Sequence, residues 1–409
     1  MKNGIIVTKK DGNIFSIRIE DGKFVQIQAE QEQAKPLLGN IYLGKVQNIV
    51  KNIRAAFVEI ENGMVCYLPL NEIMPPIGVK GMAAKENKVC IGDEILVQVS
   101  TEHIKTKPPT LTGNLSLTGK YLVLTRAKTQ IALSAKIKDA EIRKQLKEKI
   151  SIYKNDEYGF IIRTNAEHAE IPKVEEEAKR LIKEYEDIKK YGIHKNRFSL
   201  VYQAPRTYVT QLRDGYTQMV ERILTDDEEI YREMKAYLEA YQPEDLAKLE
   251  LYQDEAVSLA ALYNLSSQLK NALSKNVWLK SGASIVIEPT ESLTAIDVNT
   301  KKAIKGRKNA EETFFRINCE AAVEIARQLR LRNLSGIILI DFIDMKDEDK
   351  REALLACLRD EVKKDPVKTM VVDITALGLV ELTRKRLRKP LHESLKERDT
   401  NDTGTKDTK

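Results

Sequence analysis

Two apolar runs joined by one long helical stretch restrict this chain more than any other feature. "ESLTAIDVNT" (291–300) and "GIILIDFIDM" (336–345) are rich in β-branched residues, as strands are. The intervening "AEETFFRINCEAAVEIARQLRLRNLSG" (310–336) has an apolar stripe at Ala322, Ile325, Ala326 and Leu329. It reads as a helix that Gly336 terminates. A strand–helix–strand crossover brings both strands into one sheet, parallel if they are equivalent. Each run also carries an aspartate where a valine would pack better, and an ionised carboxylate is costly in a buried strand unless something positive meets it.

Alternation along a strand puts Asp297 and Asn299 on one face, away from Ile296 and Val298. Asp341 ends "GIILID", which reads as a buried strand. The crossover allows Asp297 and Asp341 to lie side by side at the sheet edge. Paired carboxylates repel unless a cation or a proton joins them. Hard oxygen donors with no nearby histidine or cysteine favour Mg²⁺ or Mn²⁺, and a metal on two acids suits phosphoryl transfer. From spacing alone a second reading stands beside this one, in which each aspartate caps a helix or pairs with a structural arginine. Asp344 is either a further support of the acid pair or the cap of the next helix.

The remaining composition sets bounds. With 409 residues the chain has room for two to four domains, and 42% hydrophobic with 31% charged residues is ordinary for a soluble globular protein. No apolar window reaches a membrane span of about 18–20 residues. "MKNGIIVTKKDGN" is no signal peptide, so a cytoplasmic location is expected. Cys66, Cys90, Cys319 and Cys357 are dispersed, with no paired-cysteine spacing. They read as buried free thiols, and no zinc motif exists. The net charge of +6 is unevenly placed: "KKAIKGRKN" (301–309) and "RKRLRK" (384–389) each hold five cations and no anion. Both are expected to face a polyanion.

Along the chain, residues 1–35 read as a strand meander with Asp-Gly turns. Five or so short strands from Gly39 to about Ser100 suggest a small closed barrel. Then come a helix over 139–150 capped by Asp139, a strand at 158–166, a helix over 173–190, and a mainly helical pattern to about Asn276. The last block alternates strand and helix, and the polar stretch after Pro390 reads as a disordered tail.

"ESLTAIDVNT", "EETFFRINCEAAVEIARQLRLRNLSGIILIDFIDM", "LGLVELTRKRLRKPL" and "VWLKSGASIVIEPTESL" closely resemble the catalytic core of the ribonuclease E/G family. The resemblance extends over nearly the whole chain, with "GNIYLGKVQNIV…AAFVEI" where that family inserts an OB-fold barrel. It implies a multidomain α/β fold in which a ribonuclease H-like subdomain (1–36 and 208–273) is interrupted by an OB-fold RNA-binding barrel (37–125) and a 5′-sensor region (126–207). A deoxyribonuclease-I-like catalytic subdomain (274–400) and a disordered tail (401–409) follow. By the same resemblance Asp297 and Asp341 hold a catalytic Mg²⁺, which Mn²⁺ can replace, and Asn299 supports them. Phe57 and Tyr67 stack RNA bases, tyrosine at 67 replacing the usual phenylalanine. Lys107 is a basic RNA contact, although "KPPTLTG" lacks the neighbouring glycine. Arg163 and Thr164 bind a 5′-monophosphate, a task an arginine fork and a hydroxyl suit.

The expected function is metal-dependent endonucleolytic cleavage of single-stranded RNA (mRNA and rRNA precursors), leaving 5′-phosphate and 3′-hydroxyl ends, in RNA processing and mRNA decay. The alternative is a catalytically silent RNA-binding protein, which would not need the acid pair. With no cysteine after Cys357, the family's zinc link between protomers is not expected. A homo-oligomer would have to form without it.

Overall fold

The computed structural model describes residues 1–33, 36–61, 63–73, 75–80, 89–103, 107–126, 128–214, 220–301 and 310–396. The chain divides into two compact units: Met1–Ala34, Thr207–Gln211 and Thr217–Lys409 in one, Lys35–Arg206 and Leu212–Tyr216 in the other.

The first unit contains two sheets. One has five strands in the order Leu249–Leu251, Arg222–Thr225, Gly4–Lys10, Asn13–Glu20, Lys23–Gln31. The last three form the expected antiparallel meander. Asp11-Gly12 and Asp21-Gly22 turn the chain with positive φ at all four residues, as two-residue hairpins require. Arg222–Thr225 pairs parallel with Gly4–Lys10 and with Leu249–Leu251. These two strands interrupt a region whose pattern reads as helical. At four and three residues they are too short to show a period, and "RILT" is buried at its last three residues.

The second sheet of this unit has six strands, in the order Asn276–Trp278, Ser284–Pro289, Leu293–Asn299, Gly336–Asp341, Val380–Arg384, Thr369–Ile374. Leu293–Asn299 and Gly336–Asp341 are parallel, as the helix between them demands. That crossover helix spans Ala310–Leu331. It packs Ile317, Ala321, Ile325 and Leu329 against Ile285, Ile296, Ile338 and Ile340 of the sheet. The helix stops five residues before Gly336. Asn333 takes the left-handed conformation (φ 51°), and Leu334 N–H reaches back to Leu329 O at 3.1 Å. Asparagine tolerates that conformation and does the capping expected of glycine. Gly336 instead opens the next strand at φ 92°, where a Cβ would meet the Arg386 guanidinium at 2.3 Å.

In the second unit, the strands Ile41–Val50, Ala55–Glu61, Met64–Pro69, Thr110–Thr112 and Glu94–Thr101 close into a five-stranded barrel. Leu200–Tyr202 and Gly78–Lys80 extend its sheet. The barrel core is Val46, Val58, Ile60, Leu68, Val97 and Leu111. A second sheet, in the order Ser116–Thr118, Leu122–Thr125, Gly159–Ile162, Ala132–Leu133, packs against two helices. These are Ala140–Ser151, where Asp139 accepts from Glu141 N and Ile142 N, and Ile171–Gly192. The tail after residue 396 lies outside the described residues.

Candidate active site and nucleic-acid interface

Asp297 and Asp341 are direct cross-strand partners in the parallel pair, so their side chains leave the same face of the sheet. The strand Gly336–Asp341 is not buried on both faces as its run of β-branched residues suggests. Ile338 and Ile340 are buried under the crossover helix, while Ile337 is 53% exposed and Asp341 faces solvent. Asp297 is exposed in the same way between buried Ile296 and Val298. On this open face the acids escape the full desolvation cost that the apolar run implies. Asn299 donates its Nδ2–H to Asp297 Oδ2 at 2.5 Å, fixing the direction of that carboxylate.

Burial pushes the Asp341 carboxyl above the ordinary aspartate range, and the negative charges of Asp297 and Asp344 push it further. Asp344 is not the cap of the following helix. Asp347 takes that place, accepting from Lys350 N at 3.3 Å. Three acidic side chains thus act on one electrostatic site, with no described arginine or lysine bridging the cross-strand pair. Its oxygen donors suit a hard divalent cation. Among the described residues no three histidine, cysteine, aspartate or glutamate side chains are grouped to hold a metal. Such a cation would take the rest of its shell from water and substrate oxygens, the habit of Mg²⁺.

The expected basic flanks divide. In the 301–309 run only Lys301 is described, and it is exposed. In the second run Arg384 is buried rather than presented. It pairs with Asp365 at 2.7 Å and donates to Asn333 Oδ1 at 2.8 Å and Leu334 O at 3.1 Å. A guanidinium so used holds the strand end to the helix terminus. Of the cysteines, all free, only Cys66 is buried, and burial raises its thiol to about 12.

On the barrel, Phe57 and Tyr67 are cross-strand partners. Their rings stand edge to face with centroids 6.1 Å apart. Each is partly exposed between buried neighbours, so Phe57 is a surface aromatic and not part of the barrel core. Tyr67 N–H donates to Pro109 O at 2.9 Å, and Tyr67 pairs with Thr110. Lys107, exposed, precedes that contact by two residues. The structure brings the two aromatic rings together on one wall of the barrel.

Arg163 follows the strand Gly159–Ile162. Its backbone N–H donates to Tyr121 O at 2.8 Å, and its Nη1–H donates to Gly119 O at 2.6 Å. Nη2 meets Asp214 Oδ1 at 2.9 Å. Thr164 Oγ1 lies 2.9 Å from Ser134 Oγ. Arg213 also grips Asp214, through Nε at 2.9 Å and Nη2 at 3.1 Å. Burial would raise the Asp214 carboxyl, but the two guanidiniums outweigh it and hold it below the ordinary range. Two cations thus share the one Asp214 carboxylate.

The turn carrying Gly119 is itself held by Glu177, buried on the helix Ile171–Gly192. Its carboxylate accepts from Lys120 N at 2.9 Å and from Tyr121 N and Leu122 N at 2.8 Å each. Neither Asp214 nor Glu177 is marked in the sequence. Apart from Arg213 beside Asp214 in the chain, the partners named here lie about fifty residues or more away, and only the buried position of Glu177 on an otherwise regular stripe hints at its use.

A model of the ribonuclease E/G family matches residues 116–387, and one of the S1 RNA binding domain matches 35–107. Ribonuclease G of Escherichia coli (strain K12) is 35% identical over 390 residues, covering 92% of this chain and 78% of that protein. Ribonuclease G of Haemophilus influenzae is 34% identical over 385 residues, again covering 92% and 78%. Ribonuclease E of a Nostoc species is 35% identical over 365 residues, 87% of this chain and 52% of its own. With the barrel and the paired acids in place, these similarities are decisive: the chain belongs to the ribonuclease E/G family.

Proposed function

We propose that this endoribonuclease cleaves single-stranded RNA by metal-assisted attack of water on the phosphodiester, with Asp297 and Asp341 as the ligands and Asn299 as their support. The observation that carries the reading is the in-register pairing of Asp297 with Asp341 on the open face of a rigid sheet. Burial raises Asp341 and repulsion from Asp297 and Asp344 adds to it; that repulsion is what a bound divalent cation would relieve. Mg²⁺ or Mn²⁺ held there would supply Lewis-acid charge to the scissile phosphate and the attacking water. The chain's own residues do the rest. Asn299 orients Asp297, and the sheet fixes the spacing of the acids. Phe57 and Tyr67 stack bases, each stack contributing about 1–3 kcal/mol without sequence preference.

Strand order supports the finer fold reading. The five-stranded sheet, with its meander followed by two parallel strands on the other side of the first, suits a ribonuclease H-like subdomain. The six-stranded sheet suits the deoxyribonuclease-I-like catalytic one. Arg163, Thr164 and the charge around Asp214 suit a 5′-monophosphate. On this reading the products carry 5′-phosphate and 3′-hydroxyl ends, and the work is processing of rRNA precursors and decay of mRNA in the cytoplasm. The barrel binds RNA, as its match to the S1 RNA binding domain supports. Among the described residues no helix is long and apolar enough to cross a membrane.

The test is substitution of the acids. Asp297→Asn and Asp341→Asn should each remove most cleavage while RNA affinity stays close to that of the parent, because the metal acts chiefly on the transition state. The double variant should be little worse than either single one, since both residues serve one ion. Near-normal cleavage by either single variant in Mg²⁺ would refute the assignment.

A further inference from the structure

Asn318 sits in the middle of the crossover helix and is fully buried. Asparagine is a modest helix former, and a buried amide is costly unless both its ends are bonded. Here both are. Nδ2–H donates to Ile343 O at 2.8 Å, and Ile343 N–H donates to Oδ1 at 3.0 Å. The amide closes on Ile343 as a partner strand would, although 342–347 has no regular structure. Ile343 stands two residues after Asp341 and one before Asp344. Seven residues earlier on the helix, Glu311 Oε1 accepts from Lys346 N at 2.8 Å and Asp347 N at 3.0 Å. A separation of seven puts both tethers on one face of the helix, two turns apart. The segment bearing Asp344 is thus held at both ends by the helix that joins the two acid strands.

The mechanics explain why such a hold is needed. Strand pairing alone sets Asp341 against Asp297, but strand pairing ends at Asp341. Beyond it, among the described residues, 342–347 has no strand partner to hold the backbone. We infer that Asn318 is a positioning residue of the acid site: by fixing the Ile343 backbone two residues beyond Asp341, it holds the end of the strand that presents Asp341 and so strengthens the site's hold on a divalent cation. The inference rests on the metal-dependent reading of that pair.

The test measures cation binding directly, with Mn²⁺ titrated into RNA-free protein by calorimetry. Asn318→Leu keeps the volume and removes both hydrogen bonds. Should that variant fail to fold, Asn318→Ser leaves room for a water to satisfy Ile343 without fixing it. In the folded variant Mn²⁺ affinity should fall about tenfold or more, as for other outer-shell partners of metal ligands. The Mg²⁺ concentration for half-maximal cleavage should rise by the same factor. RNA affinity in chelator should not change. A folded variant with lower thermal stability but unchanged Mn²⁺ affinity and Mg²⁺ requirement would reduce Asn318 to packing and overturn the inference. Loss of the metal reading itself would look different. The parent protein would then bind Mn²⁺ no better than its Asp297→Asn variant.

Discussion

At Asp341, burial and two neighbouring negative charges act in one direction, and each can be removed separately. In metal-free protein the Asp341 carboxyl should release its proton above the ordinary aspartate range, taken as about 3.9. A raised carboxyl pKa means that the proton competes with the cation as pH falls, so acid should weaken metal binding before it unfolds the chain. Asp344→Asn removes one of the repelling charges and should move the Asp341 titration to lower pH, as carboxyl carbon shifts would record. An unmoved titration would mean that Asp344 lies too far away to matter. An RNA with a 5′-monophosphate should be cut faster than its 5′-hydroxyl counterpart. A charge-assisted bond of about 1.5–3 kcal/mol corresponds to roughly ten- to a hundredfold. Arg163→Ala should erase the preference by slowing only the phosphorylated substrate. Equal slowing of both would make Arg163 a structural partner of Asp214 alone.

Glu177 holds the turn at Gly119–Leu122 by three backbone N–H groups, and the same turn receives Arg163 at Gly119 O. Glu177→Gln points an amide at one of those donors and leaves it unpaired. The cost should be about 1–3 kcal/mol. Gly119→Ala places a Cβ 2.2 Å from Glu177 Oε1, where nothing pinned so firmly can yield. Both variants should lower the melting temperature, and both should weaken the 5′-phosphate preference while leaving 5′-hydroxyl cleavage in place. Thermal denaturation and paired cleavage rates check this. The same element shows what was legible beforehand. Arg163 and Thr164 stood out because they match a family motif, and Asp139 because a cap precedes an apolar stripe. Glu177 and Asp214 did not, because a long-range partner leaves no local period or spacing behind. Short strands such as Arg222–Thr225 were missed for a related reason, being set by neighbours in the sheet and not by their own four residues. Gly336 was misplaced because Asn333 could adopt the same left-handed turn earlier.

For the whole molecule, the crossover around Asp297 and Asp341 and the closed barrel followed from sequence pattern. That pattern could not reveal that the acid-bearing face of the six-stranded sheet is open. Apolar β-branched runs look alike whether one face or both are covered. The open face is what turns two expensive acids into an accessible site. The most direct test is end mapping on a 5′-monophosphorylated, A/U-rich single-stranded oligonucleotide, with Mg²⁺, with chelator, and with the Asp297→Asn/Asp341→Asn double variant. Internal cuts in Mg²⁺ should leave 5′-phosphate and 3′-hydroxyl ends, return with Mn²⁺ after chelation and be absent from the double variant. Internal cleavage that survives chelation, or that the double variant performs at the parent rate, would overturn the assignment of Asp297 and Asp341 as the metal-holding catalytic pair.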